Sequence, residues 1–240
     1  MNPKIKYSLI TLLIIIVITL SFGIIRMYLL VKKTKVLIKN AVPYERSLPE
    51  SDMKILVLGD STAYGTGSLK NSETTAGRLG ELFPQADVKT IVENGLKLEG
   101  LLEKVSSIDP NEKYSIILIQ IGANDIIRLT NMKDIEARID TLVDKLSKQT
   151  KKLIFMHSGN VGDSEFFPSY VQPILTSRSN KVREIYIKTA EKHNAFYVDV
   201  IGSDIPKIIE VDPSKYYAND LLHLSGEGYG LWFDEIRKGL

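Results

Sequence analysis

The sequence predicts a doubly wound α/β sandwich of about five parallel strands over residues 53–240, and three observations predict it. Runs of four to seven residues rich in Ile, Val and Leu recur at 54–58, 88–92, 115–121, 153–156 and 196–200. Segments with helical spacing stand between them, and short apolar strands alternating with helices are the pattern of a parallel sheet covered on both faces. With 44% hydrophobic and 25% charged residues among 240, the chain can bury one sizeable core beside a smaller appendage.

The appendage comes first. From Tyr7 to Ile25 nineteen residues carry no charge, and at about 1.5 Å per helical residue they nearly cross a hydrocarbon layer of roughly 30 Å. Residues 1–31 are therefore expected to form a single-pass transmembrane helix. It should stay uncleaved, since no small-x-small site follows the run. Lys4 and Lys6 precede it, while Arg26, Lys32, Lys33, Lys35 and Lys39 follow it. The positive-inside count leans toward a cytoplasmic body, whereas a short basic tail favours the opposite insertion. Those seven cations, unaccompanied by any acidic residue, turn the formal net charge of +2 into −5 for residues 41–240. A mildly acidic body excludes a nucleic-acid surface, which needs clustered cations against phosphate. The absence of cysteine excludes disulfides, Cys-ligated zinc and thiol catalysis.

Residues 32–52 read as a basic and polar linker with two prolines, and the body follows in order. After the first strand, "AGRLGELF", "LEGLLEKVSSI", "IEARIDTLVDKLSK" and "RSNKVREIYIKTAEKH" have helical spacing. Residues 158–177, "SGNVGDSEFFPSYVQPILTS", have none, and a connection of that length is expected to lie over a site or beside one. Its Phe166, Phe167 and Tyr170 either line an acyl pocket or seal the edge of the sheet. Ser225 is placed to cap a last amphipathic helix.

Ligands of an open parallel sheet gather at the carboxyl ends of its strands, so the strand exits are where chemistry is sought. They read "GDSTAYG", "ENG", "GANDI", "HSGNVG" and "DVIGSD". Ser61 in the first is either a helix cap or a nucleophile, and a nucleophile needs a base. Of three histidines, His193 ends a helix, where it can meet the last carbonyls. His157 closes a strand, which suits a structural residue and leaves a reactive role open. His223 has Asp220 three residues ahead, close enough on one turn to orient the imidazole. The backbone N–H of Ser61, that of Gly95 and the side-chain amide of Asn124 can serve a developing oxyanion; Gly95 and Asn124 equally suit ordinary loops. Without a Gly-x-Ser-x-Gly elbow the lipase-type α/β-hydrolase fold is disfavoured, and "GTGS" lacks the ending of a phosphate loop.

Together, "GDS" after the first strand, a glycine after the second, "GAND" after the third and "DLLH" near the carboxyl end resemble the GDSL or SGNH hydrolases over residues 53–240. The resemblance implies a flavodoxin-like three-layer α/β/α sandwich without a metal or organic cofactor. It makes Ser61 the nucleophile, His223 the base and Asp220 its acid. Ser61, Gly95 and Asn124 become the oxyanion donors, Asp60 a loop-shaping residue and Asp125 a cap or supporting group. "ENGLKLEG" departs from the family's second-strand pattern at Glu93, Lys97 and Leu98. The expected activity is hydrolysis of a carboxylic acyl ester or lipid through an acyl-enzyme on Ser61. The rivals are an O-acyltransferase with the same site and an inactive membrane-tethered binding module.

Overall fold

The computed structural model describes residues 3–240, apart from the side chains of 3–6, 8, 11, 12, 15, 16 and 18–20. Five strands form its sheet: β1 (Lys54–Gly59), β2 (Asp87–Val92), β3 (Ile116–Gln120), β4 (Leu153–Met156) and β5 (Phe196–Tyr197). All pair in parallel, in the order β2-β1-β3-β4-β5. The order reverses between β1 and β3, the place where doubly wound sheets open a crevice.

The helices, in chain order, are α1 (Pro3–Asn40), α2 (Ser61–Tyr64), α3 (Thr75–Leu82), α4 (Leu98–Ser106), α5 (Ala123–Ile127), α6 (Met132–Ser147), α7 (Gln172–His193), α8 (Ile205–Val211), α9 (Pro213–Tyr216) and α10 (Gly226–Ile236). Alternation along β1 sorts them into two layers, because successive side chains point to opposite faces. Ile55 and Val57 pack with Ala76 and Leu79 of α3 and with Tyr229, Trp232 and Phe233 of α10. Leu56 and Leu58 pack with Leu101 of α4, Leu142 of α6 and Val182 and Tyr186 of α7. The result is the expected three-layer sandwich with five strands.

The membrane span expected over 7–25 is not shown. Among the described residues no helix is long and apolar enough to cross a membrane. Much of that run, Leu12, Ile15, Ile16 and Ile18 included, has side chains outside the described residues. Helix α1 continues to Asn40, so the first part of the segment read as linker is helical. This end of α1 lies against the body, with Leu30 buried and Arg26 Nη2 donating to the carbonyl of Glu165 at 2.5 Å. Residues 41–52 run along the outer edge of β2. Arg46 and Val88 exchange both backbone hydrogen bonds, at 3.1 and 2.9 Å, and Leu48 N–H donates to Asp87 Oδ1 at 2.8 Å.

Two boundaries differ from expectation for local reasons. Helix α7 begins at Gln172, inside the stretch read as aperiodic, because Pro173 occupies its first turn, where a missing N–H costs no hydrogen bond. β5 stops at Tyr197 rather than 200. Asp199 leaves the ladder to form a two-pronged pair with Arg183, at 2.7 and 2.5 Å, and accepts from Gly202 N–H at 3.1 Å, which turns the chain.

Candidate active site

β1 ends on Gly59, where a Cβ would stand 1.8 Å from the carbonyl oxygen of Gln120. Only glycine lets β1 and β3 leave the sheet this close together. Asp60 then caps α2, its Oδ1 accepting from Thr62 N–H at 2.9 Å and Thr62 Oγ1 at 2.8 Å. The cap is thus Asp60 and not Ser61. Ser61 opens the helix with a side chain free for another partner. Burial pushes the Asp60 carboxyl above the usual carboxylate range, despite the hydrogen bonds from Thr62.

That other partner is His223, whose Nε2 lies 3.1 Å from Ser61 Oγ. The turn carrying it is closed by a bridge between Tyr217 and Leu224 and by Ala218 N–H donating to the His223 carbonyl at 2.8 Å. Asp220 organises the turn from within. Its Oδ1 accepts from the backbone N–H groups of Leu222 at 3.1 Å and His223 at 3.0 Å, while Oδ2 faces His223 Nδ1 at 2.7 Å. Burial would raise the Asp220 carboxyl, but hydrogen bonds from the imidazole and the two backbone N–H groups, with the histidine's charge, hold it below the usual range. An ionised carboxylate only accepts, so the Nδ1 facing it carries a proton, and in the neutral imidazole Nε2 then presents its lone pair to the serine hydroxyl. The structure therefore joins Ser61, His223 and Asp220 in one hydrogen-bonded chain, with Asp220 buried and the other two nearly so.

Gly95 and Asn124 sit at the neighbouring exits. β2 and β3 flank β1, with Val92 and Gln120 both opposite Gly59, so Ser61, Gly95 and Asn124 lie within a few residues of the same edge. Gly95 has a φ of +80°, a conformation other residues adopt at a cost. Among the described residues the backbone N–H groups of Ser61 and Gly95 donate to no backbone carbonyl. The three exits are tied to one another. Thr66 Oγ1 donates to Asn94 Oδ1 at 2.6 Å. Asp125 Oδ2 accepts from Leu98 N–H at 2.9 Å and caps α4 in place of Lys97, whose side chain makes no cap bond. The family-pattern departure in "ENGLKLEG" is thus met by a cap from the next strand exit. Tyr229 of α10 donates to the carbonyl of Thr66 at 2.8 Å and holds the far end of α2.

The connection at 158–177 lies beside this site, as its length suggested. Ser164 Oγ donates to the carbonyl of Leu221, between Asp220 and His223, at 2.6 Å. Of its aromatic residues, Phe166 and Phe167 meet edge to face, with centroids 5.1 Å apart, and Phe167 packs on the core, while Tyr170 is exposed. The other histidines are occupied elsewhere. His157 is fully buried, with Nδ1 2.9 Å from Tyr197 Oη. His193 meets Asp140 on α6, at 2.8 Å, and not the last carbonyls of its helix.

Asn94, Thr66, Tyr229 and Ser164 were not foreseen as supports. Asn94 carried a signal as the neighbour of Gly95 in a strand exit, and Ser164 as part of the connection 158–177; Thr66 and Tyr229 carried none. One more side chain reaches the triad from an unforeseen direction: Thr34 Oγ1 of α1 lies 2.9 Å from Asp220 Oδ2.

The model of the GDSL-like lipase/acylhydrolase family matches residues 57–231. A search of curated proteins finds no match. Solved structures with a similar fold include a member of the lipolytic protein G-D-S-L family from Veillonella parvula, at TM-score 0.63 and 16% identity over 78% of this chain and 97% of that one. They also include the lipase/acylhydrolase from Enterococcus faecalis, at 0.57 and 20% over 78% and 94%. An acetylxylan esterase from Geobacillus stearothermophilus gives 0.57 and 20% over 79% and 94%.

Proposed function

Because the chain belongs to the GDSL-like lipase/acylhydrolase family, we propose that it hydrolyses carboxylic acyl esters through an acyl-enzyme on Ser61. The observation that carries this reading is the continuous chain from Ser61 Oγ to His223 Nε2 at 3.1 Å and from His223 Nδ1 to Asp220 Oδ2 at 2.7 Å.

In the proposed reaction Ser61 Oγ attacks the ester carbonyl carbon as its proton passes to His223 Nε2. The carbonyl oxygen, now negative, takes hydrogen bonds from the Ser61 and Gly95 backbone N–H groups and from the Asn124 amide. Collapse of the intermediate breaks the bond to the alcohol oxygen, which leaves with the proton held by His223. Water, its proton taken by the same imidazole, then attacks the acyl carbon; the bond to Ser61 Oγ breaks, that oxygen recovers the proton from His223, and the acid leaves. Asp220, ionised because its pKa is low, keeps the imidazole in the required tautomer and compensates its transient charge.

The proposed substrate is a small acyl ester or an acyl lipid. Short acyl groups are supported by similarity of fold to an acetylxylan esterase, and acyl lipids by the lipase among the similar structures. Tethering to a membrane is a separate reading, supported by the charge-free run 7–25 in the sequence. Its side is proposed from the cation count, which favours a cytoplasmic body. With p-nitrophenyl butyrate, Ser61→Ala should lower kcat by roughly 10⁴- to 10⁶-fold. Equal turnover by the variant would remove the acyl-enzyme. The same assay on washed membranes and supernatant of expressing cells reads the tether: activity confined to the supernatant refutes it.

A further inference from the structure

A buried carboxylate offers about four acceptor positions, and each left empty weakens its hold on the charge. Asp220 fills three from its own turn, with Leu222 N–H, His223 N–H and His223 Nδ1. The fourth partner comes from 186 residues away, the hydroxyl of Thr34 on α1, 2.9 Å from Oδ2. The same hydroxyl lies 3.1 Å from the carbonyl of Leu30, one turn back. That is the ordinary resting place of a threonine within a helix. It has one proton, however, and an ionised carboxylate at the shorter distance is the stronger acceptor.

The contact is not isolated. Leu30, one turn before Thr34, is buried. Two turns before Thr34, Arg26 donates to the carbonyl of Glu165, in the connection that grips the Asp220–His223 turn through Ser164. The carboxyl-terminal half of α1 therefore meets the site at the triad acid itself and at the loop bracing its turn. Neither Arg26 nor Thr34 lies within the residues matched by the family model, which begin at 57.

We propose that Thr34 is a positioning residue of the active site. Its hydroxyl fixes the Asp220 carboxylate in the plane that meets His223 Nδ1, and through it α1 completes the triad. This inference rests on the acyl-enzyme reading above. A hydroxyl that acts on the acid and does not touch substrate should affect turnover and leave substrate capture alone.

The test uses the full-length chain in detergent with p-nitrophenyl butyrate, and compares wild type, Thr34→Val, Thr34→Ser, Thr34→Ala and Ser61→Ala by kcat, KM and thermal midpoint. Thr34→Val and Thr34→Ala should lower kcat about tenfold, the size of one charge-assisted hydrogen bond, with KM within twofold and a lower thermal midpoint, since the folded state loses the same bond. Thr34→Ser should restore kcat. Full kcat in both Thr34→Val and Thr34→Ala beside an inactive Ser61→Ala would overturn the inference and leave the acyl-enzyme standing. An equal loss in Thr34→Ser would overturn it too, since the hydroxyl would then not matter. Undiminished activity in Ser61→Ala would sink the earlier reading instead.

Discussion

Asp220 explains why an Asp-x-x-His spacing can build half of a triad. One carboxylate oxygen caps the backbone of its own turn through Leu222 and His223, and the other is thereby aimed at the imidazole. The spacing is local chemistry, which is why it was legible in the sequence. Its pairing with Ser61, 162 residues distant, was legible only through the order of motifs along the chain. Whether Ser61 caps the helix or serves as nucleophile was open in the sequence, because Asp and Ser both cap well and stand side by side, and Asp60 takes the cap. That assignment matters for function, since the Ser61 hydroxyl is left to face His223. Thr34 left no trace in the sequence: a threonine in a helix carries no mark of a partner across the fold. At this scale Asn124 gives a clean expectation. Asn124→Ala should reduce kcat by about 10²- to 10³-fold if its amide donates to the oxyanion, with KM little changed, as measured by steady-state hydrolysis of p-nitrophenyl butyrate.

Secondary-structure elements were legible where apolar runs or periodicity had no competitor. β3 and β4 are buried along their whole length, and β1 from Ile55 onward, so each read as an apolar run. β5 was overestimated because "FYVDV" looks like a strand until Asp199 finds Arg183, a partner no local pattern announces. The start of α7 was missed for a related reason. Its first nine residues contain Gln172, Ser177 and Asn180, and Leu175 is the one apolar residue buried there, so the stripe is too thin to count. The cap of α10 was foreseen: Ser225 Oγ accepts from Gly228 N–H at 3.1 Å. Ser225→Ala should cost about 1 kcal/mol of stability, read as a lower urea midpoint at unchanged slope. Through Tyr229, which holds the carbonyl of Thr66, that loosening is transmitted toward Ser61.

For the whole molecule, the crevice between β1 and β3 follows from strand order, and the two cores from alternation along β1. Stability should then depend on pH through a buried group outside the triad. Burial lowers the pKa of His157 to about 4, against 6.5 when unfolded. Between those values the unfolded chain binds a proton that the fold refuses, so stability falls as pH drops from 6.5 toward 4, by up to about 3 kcal/mol. Asp60, with its raised pKa, acts in the opposite sense as acid protonates it, and Asp220, with its lowered pKa, adds its own loss at lower pH. Urea midpoints at pH 7 and 4.5 should therefore diverge in wild type and converge in His157→Gln; equal divergence in both would assign the acid sensitivity elsewhere.

Residues 41–52 pair through Arg46 with β2, the outermost strand on that side. Unguarded strand margins invite other chains to add themselves. A recombinant fragment begun at Lys54 would therefore strip the sheet of its selvage and offer Val88 to any passing copy. The practical boundary of a well-behaved soluble form lies upstream of Val42, and one that is also to retain Thr34 must reach into the long first helix.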